Sequence, residues 1–158
     1  MKLKPKGRND SHNFDYSKIS DHIYVGSDFC TGRKCKEHRA EFKRLNVDSE
    51  INLSAEKKEI PPDNVSSYTW LPVVDGYAPT QQQLDVGTEI VNSAVGNGKN
   101  VYVHCRNGHG RSPTLVAAYL IKFQKMSVDD AIDLIEKKRP EAHIETSQEK
   151  ALREFAKR

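Results

Sequence analysis

The sequence predicts an α/β fold in which one domain is built on a central, mostly parallel sheet of four to five strands, with helices on both faces. Strand-like and helix-like stretches alternate along the first part of the chain, and helical stretches cluster near its end. The strand-like stretches are largely apolar, as is typical of strands covered on both faces. A chain of 158 residues can bury roughly 70% of its unfolded surface, which is enough for one core. We therefore expect one domain over residues 15–158, preceded by a polar basic arm over residues 1–14.

Four stretches rich in β-branched and aromatic residues predict the strands. They lie at His22–Val25, Glu50–Leu53, Ser67–Val74 and Val101–Val103. The first of them ends at Gly26, a residue that commonly closes a strand.

Two helices are predicted before the last of these strands. Residues Arg39–Leu45 form part of the first helix. The second follows a capping-box pattern at Thr80 and Gln83, and its apolar residues recur with helical spacing. It should end at the Gly96-Asn97-Gly98 turn signal.

Three more helices are predicted after the last strand. Ser112 is the expected N-cap of a largely apolar, central helix with Pro113 in its first turn. Ser127 caps the next helix, which ends in a run of cations that suits the negative end of a helix dipole. Thr146, with Glu149 as the second member of a capping box, opens the last helix.

The composition is that of a globular chain, with 36% apolar and 30% charged residues. The formal net charge is +3, and much of it lies in the arm. The cations there are Lys2, Lys4, Lys6 and Arg8. Without these four, the formal charge of +3 becomes −1, so no nucleic-acid-binding face is expected. Such an arm is typical of a solvated terminus.

The longest apolar run, Leu115–Ile121, is far short of the roughly 20 residues that span a bilayer. No apolar segment follows the basic N-terminus, so neither a membrane span nor a secretory signal is expected. The cysteines Cys30, Cys35 and Cys105 are too few for a disulfide framework, which favours free thiols and a reducing, cytoplasmic compartment. Cys30, Cys35 and His38 offer only three ligands, so no zinc or other metal site is predicted.

The segment from Val101 to Pro113 carries the chemistry, because a strand, a cysteine, a glycine-containing loop, an arginine and a helix start follow one another. The N–H groups of a loop that opens a helix form a cradle for an anion, and Gly108 and Gly110 let the backbone approach the bound group. A helix N-terminus lowers the pKa of a thiol such as Cys105 from about 8.5, which leaves a thiolate nucleophile. Arg111 offers a planar fork for two phosphate oxygens.

This segment resembles the His-Cys-x5-Arg-Ser/Thr signature of the cysteine-dependent protein tyrosine phosphatase superfamily. The matching positions are His104, Cys105, Gly108, Arg111 and Ser112. The Arg-Ser-Pro run, the arginine directly after the cysteine and the short chain are most similar to the small dual-specificity branch. The resemblance implies a protein tyrosine phosphatase-like fold and a phosphatase that needs neither metal nor cofactor.

The resemblance also implies a role for each residue of the loop. Cys105 would attack phosphorus and form a phosphocysteine, and Arg111 would hold the phosphate and stabilise the transition state. Ser112 would hydrogen-bond the thiolate and help it to leave, and His104 would orient the loop. The substrate phosphate would be bound by Arg106, Asn107, Gly108, His109, Gly110 and Arg111.

A cysteine nucleophile also needs a general acid for the leaving oxygen. In small phosphatases of this group an aspartate lies on a loop about 30 residues before the cysteine, where it acts as general acid and then as general base. Asp75 lies 30 residues before Cys105, directly after a predicted strand. Asp63 precedes that strand and Asp85 falls on a predicted helix. Without Cys105, the pair Asp75-Gly76 would be an ordinary turn.

The resemblance extends over most of the predicted domain. His22–Ser27 and Ile51–Ser54 are similar to two strands of dual-specificity enzymes, and Arg139–Thr146 resembles a C-terminal pattern of a subset of them. In that subset a glutamine follows the threonine by three residues. Here Glu149 has that position and Gln148 follows by only two, so no role is predicted for Gln148.

Other interpretations of the same residues remain open. Cys105 could be an ordinary buried cysteine at a strand end, or part of a phosphate-binding module without turnover. A rhodanese-like sulfur transferase also places a loop cysteine before a helix. The spacing of Asp75 argues against both a pure binder and a sulfur transferase, because neither needs this acid. A nucleotide-binding P-loop is excluded, since no Gly-Lys-Ser/Thr follows the glycines.

The predicted substrate is phosphotyrosine or phosphoserine/threonine of a phosphoprotein or phosphopeptide, acted on by a monomer. No motif typical of the deep-pocket tyrosine phosphatases precedes Asp75. The alternative is the headgroup of a phosphoinositide or another anionic phospholipid, or an RNA 5′-phosphate. Phosphoinositide phosphatases of the superfamily carry lysines at the positions of Arg106 and His109. His109 is largely neutral near pH 7, which favours the protein substrate.

Overall fold

The computed structural model describes residues 15–28 and 36–158. In chain order the elements are β1 (Tyr16–Ser20), β2 (Ile23–Gly26), α1 (Lys36–Arg44), β3 (Val47–Ser54), β4 (Ser67–Val73), α2 (Gln81–Gly96), β5 (Asn100–His104), α3 (Arg111–Phe123), α4 (Val128–Lys138) and α5 (Thr146–Ala156). The basic arm, Cys30 and Cys35 lie outside the described residues.

The five strands form one sheet in the order β1-β2-β5-β3-β4. β1 pairs antiparallel with β2, and the other three pairings are parallel. The α/β fold with a mostly parallel sheet is therefore confirmed, and β5 is its central strand. Ligands of open parallel sheets bind outside the carboxyl ends of the strands, which is where the segment after β5 lies.

Alternate residues of the strands face two different layers. Val25, Ile51 and Val103 belong to the large apolar core that helices α2–α5 share. Tyr102 faces the other side and packs on Phe42 of α1, with ring centroids 5.2 Å apart. Helices thus cover both faces, as predicted. Full burial of an aliphatic or aromatic side chain of this kind contributes roughly 1.5–3 kcal/mol to the stability of the fold.

Helix α3 is buried over Arg111–Leu120, as is typical of a helix that passes through the core rather than along the surface. Its first residue follows the loop that leaves β5, so that loop is held between the central strand and the central helix. In the ranges that the structure describes, no helix combines the length and the apolar character that crossing a membrane would require.

Strand β1 and the start of α5 differ from the prediction. Tyr16–Ser20 is only five residues long and buries only Ile19, and the sequence analysis did not recognise it as a strand. The capping pair of α5 is Glu145 with Gln148, whose Oε1 accepts from the Glu145 N–H at 2.8 Å. The predicted pair, Thr146 with Glu149, lies one residue later. A tertiary contact of the Gln148 amide, described below, selects the earlier pair.

The start of α3 also differs from the prediction. The helix begins at Arg111 with Gly110 as its N-cap, and no side chain caps it. Ser112 is therefore not the N-cap. Its hydroxyl lies 3.4 Å from the sulfur of Cys105 instead.

Candidate active site

The loop of residues 105–110 places Cys105 at the carboxyl edge of the sheet, beneath the N-terminus of α3. Only 2% of Cys105 is exposed, and its Sγ lies 3.4 Å from Ser112 Oγ. Gly108 has a φ of +70°, which a glycine adopts without strain. The sequence therefore folds this segment into the tight, helix-opening loop that its glycines predicted.

The surroundings of Cys105 favour its thiolate. Burial alone raises the pKa of the thiol. The positive charge of Arg111, the hydroxyl of Ser112 and the backbone N–H groups of Ser112 and Gly108 outweigh that effect, and the pKa of Cys105 is lowered. A buried, stabilised thiolate beside an arginine is the arrangement of an activated nucleophile.

Arg111 is almost fully buried, with 1% of the residue exposed. Its Nη1 donates to Glu56 Oε1 at 2.8 Å and to Val73 O at 2.8 Å. Its Nη2 lies 3.5 Å from Asp75 Oδ1, and its Nε has no hydrogen-bond partner among the described residues. One nitrogen thus anchors the guanidinium, while Nε and Nη2 form an edge that matches two oxygens of a phosphate.

Glu56 is a site residue that sequence reasoning missed. It lies in the loop after β3, and it also accepts a hydrogen bond from the Ser54 hydroxyl. Burial opposes its ionisation, but Arg111 and Ser54 lower the pKa of its carboxyl. The only signal in the sequence was its place after a strand at the carboxyl edge of the sheet.

Asp75 lies on a tight turn that follows β4. The Tyr77 N–H donates to Val74 O at 3.0 Å, and Gly76 has a φ of +84°, as in turns that place glycine third. The side chain of Asp75 is 73% exposed and lies above Arg111. The structure therefore brings the predicted acid to the mouth of the loop that holds Cys105.

Two residues of α5 hold this turn from below. Ser147 Oγ donates to Gly76 O at 3.2 Å, and Gln148 Nε2 donates to Tyr77 O at 3.1 Å. A Cβ at Gly110 would come within 2.8 Å of Gln148 Oε1, so Gln148 also packs against the cysteine loop. Gln148 thus joins the turn of residues 74–77, which we call the acid turn, to the cysteine loop. The spacing of Gln148 in the sequence had predicted no role for it.

Arg139 braces the outer side of the loop. It is fully buried, and its Nε and Nη2 donate to the carbonyls of Gly108 at 2.7 Å and Asn107 at 3.0 Å. Asp15 pairs with the same guanidinium at 3.2 Å. Because these carbonyls point toward Arg139, the loop N–H groups are left to face the thiol. Sequence reasoning gave Arg139 no part in the site.

The cleft above Cys105 has a volume of about 210 Å³. Its lining residues are Asp75, Gly76, Cys105, Asn107, His109, Gly110, Arg111, His143, Glu145 and Gln148. None of these is an aliphatic residue, Phe, Tyr or Trp. Of the predicted substrate-binding residues, Asn107, His109, Gly110 and Arg111 line the cleft. Arg106 is exposed, and neither Arg106 nor Gly108 lines the cleft. The Gly108 N–H faces the sulfur of Cys105, while its carbonyl faces Arg139.

Behind the loop, His104 lies in a fully buried cluster with two carboxylates. Its Nε2 is 2.8 Å from Glu50 Oε1 and 3.6 Å from Glu59 Oε2, and its Nδ1 is 3.3 Å from Cys105 O. Both ring nitrogens therefore face acceptors, and His104 donates from both as an imidazolium. Burial lowers the pKa of His104, but the charges of Glu59 and Glu50 overcome this and raise it to about 9.

The same three side chains are the group of potential metal ligands among the described residues, with donor atoms within 4.8 Å of one another. The 2.8 Å separation of His104 and Glu50 is that of a direct hydrogen bond, so a proton joins them. Of Cys30, Cys35 and His38, the three residues for which no zinc site was predicted, only His38 is described. It is buried, and its ring packs edge-on against Phe42.

Comparison with known proteins places the fold and the loop in one family. Residues 29–158 match the family model of the dual specificity phosphatase catalytic domain. The chain is 30% identical over 122 residues to phosphatidylglycerophosphate phosphatase PTPMT2 of Arabidopsis thaliana, a match covering 73% of the chain and 54% of that protein. It is 42% identical over 79 residues to human phosphatidylglycerophosphatase and protein-tyrosine phosphatase 1, covering 50% of the chain and 39% of that protein.

These curated relatives are longer proteins, of which the chain spans about half or less. Among solved structures, the crystal structure of PTPMT1 in complex with PI(5)P superposes with a TM-score of 0.77 at 30% identity. That match covers 90% of this chain and 94% of the other, so the likeness extends over nearly the whole described domain.

We expect Arg139→Met to destabilise the fold and to impair any reaction at Cys105. The methionine keeps an apolar stem of similar length but leaves Asp15 and the two loop carbonyls without their donor. Removing one partner of a buried ion pair typically lowers the free energy of unfolding by about 3 kcal/mol or more, which urea unfolding measures. Arg153→Met is the matched control, because Arg153 is an exposed arginine paired with Asp129 and Glu149. Equal free energies of unfolding for the two variants would contradict a stabilising role of Arg139.

We expect the buried histidine to make stability fall with rising pH. Between pH 6.5 and about 9 the unfolded chain has released the His104 proton, while the folded protein keeps it until its pKa of about 9. The free energy of unfolding should therefore decline across this window and level off above it. The lowered pKa of Cys105 would instead make the free energy of unfolding rise with pH. Urea unfolding is therefore measured at each pH in a Cys105→Ser background, which removes this opposing effect.

Glu50→Gln in the same background is the matched variant. It keeps the shape of the side chain and removes one of the charges that raise the His104 pKa, so the decline should end at a lower pH and its total size should shrink. A decline of unchanged size and range in this variant would show that the buried cluster is not its source.

Proposed function

Because the chain belongs to the dual specificity phosphatase catalytic domain family, we propose that it removes a phosphate monoester from the hydroxylated headgroup of a phospholipid. The observation that carries this proposal is the wall of the cleft. Its imidazole, amide and carboxylate groups, from His143, Asn107, Gln148 and Glu145 among others, suit the hydroxyls of a polyol. A phosphotyrosine ring would instead need apolar side chains along the wall.

The relatives support the same substrate class. Two of them are named for phosphatidylglycerophosphate phosphatase activity, and the similar solved structure was obtained with PI(5)P. Phosphatidylglycerol phosphate and phosphoinositides both carry a phosphate on a small hydroxylated headgroup. The shared chemistry is therefore a phosphorylated polyol at the end of a lipid.

The geometry supports a two-step reaction. In the first step the Cys105 thiolate attacks phosphorus in line with the leaving oxygen, so a P–S bond forms as the P–O bond breaks. Asp75 donates its proton to the departing headgroup oxygen. The Nε and Nη2 edge of Arg111 and the loop N–H groups hold the equatorial oxygens, where charge must be stabilised.

In the second step water attacks the phosphocysteine. Asp75, now ionised, takes a proton from that water, and the P–S bond breaks. The thiolate that leaves is stabilised by the Ser112 hydroxyl, which already lies 3.4 Å from the sulfur, and by Arg111. Inorganic phosphate is released and the Cys105 thiolate is restored.

A phosphoprotein substrate is the second candidate. The observation that favours it is the human relative, which is named for protein-tyrosine phosphatase activity as well. The loop of Cys105 and Arg111 serves either substrate, because both present the same phosphate.

We expect Cys105→Ser to abolish phosphate release measured without added metal.

Asp75→Asn should slow the hydrolysis of an alkyl phosphate such as a glycerophosphate ester by about 10²- to 10⁴-fold, because its alkoxide leaving group needs a proton. The same variant should lose much less activity on an aryl phosphate with a good leaving group. Equal losses on the two substrates would argue against Asp75 as the acid.

The substrate class is tested by kcat/KM on three substrates, with Cys105→Ser as the blank. These are a short-chain phosphatidylglycerophosphate, a phosphotyrosine peptide and a phosphothreonine peptide. We expect the lipid to be preferred by at least tenfold, because the polar wall binds its headgroup hydroxyl. A preference for either peptide would favour the second candidate and overturn the lipid proposal.

A further inference from the structure

The acid turn exposes large apolar side chains next to the cleft. Val74 and Tyr77 are 60% and 67% exposed, although they flank Asp75 and Gly76, which line the cleft. The backbone of the turn is held at the Tyr77 carbonyl, which accepts a hydrogen bond from Gln148 Nε2. Exposed apolar residues grouped at the mouth of a site mark a surface that contacts something else.

The apolar surface continues along the edge strand β4. Trp70, on the same strand, is 37% exposed, and its Nε1 donates to Ser54 O at 2.8 Å. Ser54 in turn bonds Glu56, the anchor of Arg111. This chain of contacts links Trp70 to the residue that anchors Arg111. Trp70 on β4 and Val74 and Tyr77 on the turn that follows β4 together form what we call the rim.

A cation accompanies the rim. The ammonium of Lys58, an exposed residue, lies 5.4 Å from the centroid of the Trp70 ring. Tryptophan and tyrosine concentrate at the interface between lipid and water, where their rings are apolar and their polar ends stay hydrated. Lysines beside them are attracted to anionic headgroups. The rim thus combines the two interactions that hold a protein on an anionic bilayer.

The depth of the nucleophile makes such a contact necessary for a lipid substrate. Cys105 lies at the bottom of the cleft and is 2% exposed, whereas a headgroup phosphate extends only a short distance from the bilayer. The mouth of the cleft must therefore approach the bilayer closely for the phosphate to reach the sulfur. Val74 and Tyr77 flank the residues at that mouth.

We propose that the rim of Trp70, Val74 and Tyr77, with Lys58, docks on the surface of an anionic bilayer and so presents a lipid headgroup to Cys105. This inference rests on the proposed lipid substrate. It assigns the exposed turn a second task, because the turn that carries the acid also contacts the membrane.

The test compares one headgroup in two physical states. The full chain is assayed on phosphatidylglycerophosphate in phosphatidylglycerol vesicles, and on a short-chain form of the same lipid below its critical micelle concentration. For Val74→Ser/Tyr77→Ser we expect vesicle turnover to fall about tenfold or more, while soluble turnover changes by less than about threefold. Sedimentation with the vesicles should weaken in parallel.

Val86→Ser is the matched control, because Val86 is 42% exposed on α2 and does not line the cleft. It should leave vesicle turnover and sedimentation unchanged. Lys58→Gln should reduce the salt dependence of vesicle binding, since screening by salt weakens the attraction of Lys58 to anionic lipid.

The pair of substrates separates docking on the bilayer from a purely orienting role of the turn. If Val74→Ser/Tyr77→Ser lost activity equally on soluble and vesicle substrate, the turn would only orient Asp75. If its turnover of vesicles were unchanged, the rim would have no part in binding them. Either result overturns the proposal, as does rim dependence confined to phosphopeptides.

If wild type hydrolyses neither lipid, the proposed function fails by itself. Sedimentation with phosphatidylglycerol vesicles then tests the docking proposal separately. The proposal holds only if the wild type binds the vesicles and Val74→Ser/Tyr77→Ser does not.

Discussion

A guanidinium buried at the floor of a cleft needs partners, and the partners of Arg111 organise the whole site. Glu56 and the Val73 carbonyl hold Nη1, which joins the loop after β3 and the end of β4 to the start of α3. An unpaired buried charge would destabilise the fold by several kcal/mol. The pairing at Nη1 fixes the plane of the guanidinium and leaves Nε and Nη2 toward the cleft. The same positive charge lowers the pKa of Cys105.

A second layer of buried charge supports the loop from behind. Arg139 holds two loop carbonyls, and His104 contacts the carbonyl of Cys105. Both cations are paired with carboxylates inside the fold, Arg139 with Asp15 and His104 with Glu50. Backbone carbonyls that point at buried cations cannot point at the phosphate. This layer therefore keeps the loop N–H groups directed at an anion before any substrate arrives, which is the preorganisation that electrostatic catalysis requires.

The parts of the molecule that select a substrate differ from the parts that carry out the reaction. We assign phosphate binding and attack to the loop between β5 and α3, in roles that would serve any phosphate monoester. The cleft wall, drawn mainly from the acid turn, the cysteine loop and the segment between α4 and α5, is polar throughout. The outer face of the acid turn is apolar. The proposed lipid substrate rests on this contrast, because a lipid headgroup is polar and its surroundings at the bilayer are not.

Features that depend on neighbouring residues could be predicted from the amino-acid sequence alone. The helix that Thr80 caps and the glycine loop follow from local patterns. Cys105 and Asp75 are candidates that a recognised signature and a fixed spacing named, and their roles stay predictions. The roles of Glu56, Arg139 and Gln148 emerged only in the folded chain, because each contacts a residue far away in the sequence. Glu56 lies 55 residues from Arg111 and Arg139 lies 31 residues from Gly108. Gln148 lies 71 residues from Tyr77. Glu50 was expected in an apolar strand, yet it is a buried ion-pair partner of His104. Such contacts cannot be predicted from the local sequence pattern. Their free energy arises from burial and from partners that come together only when the sheet has formed.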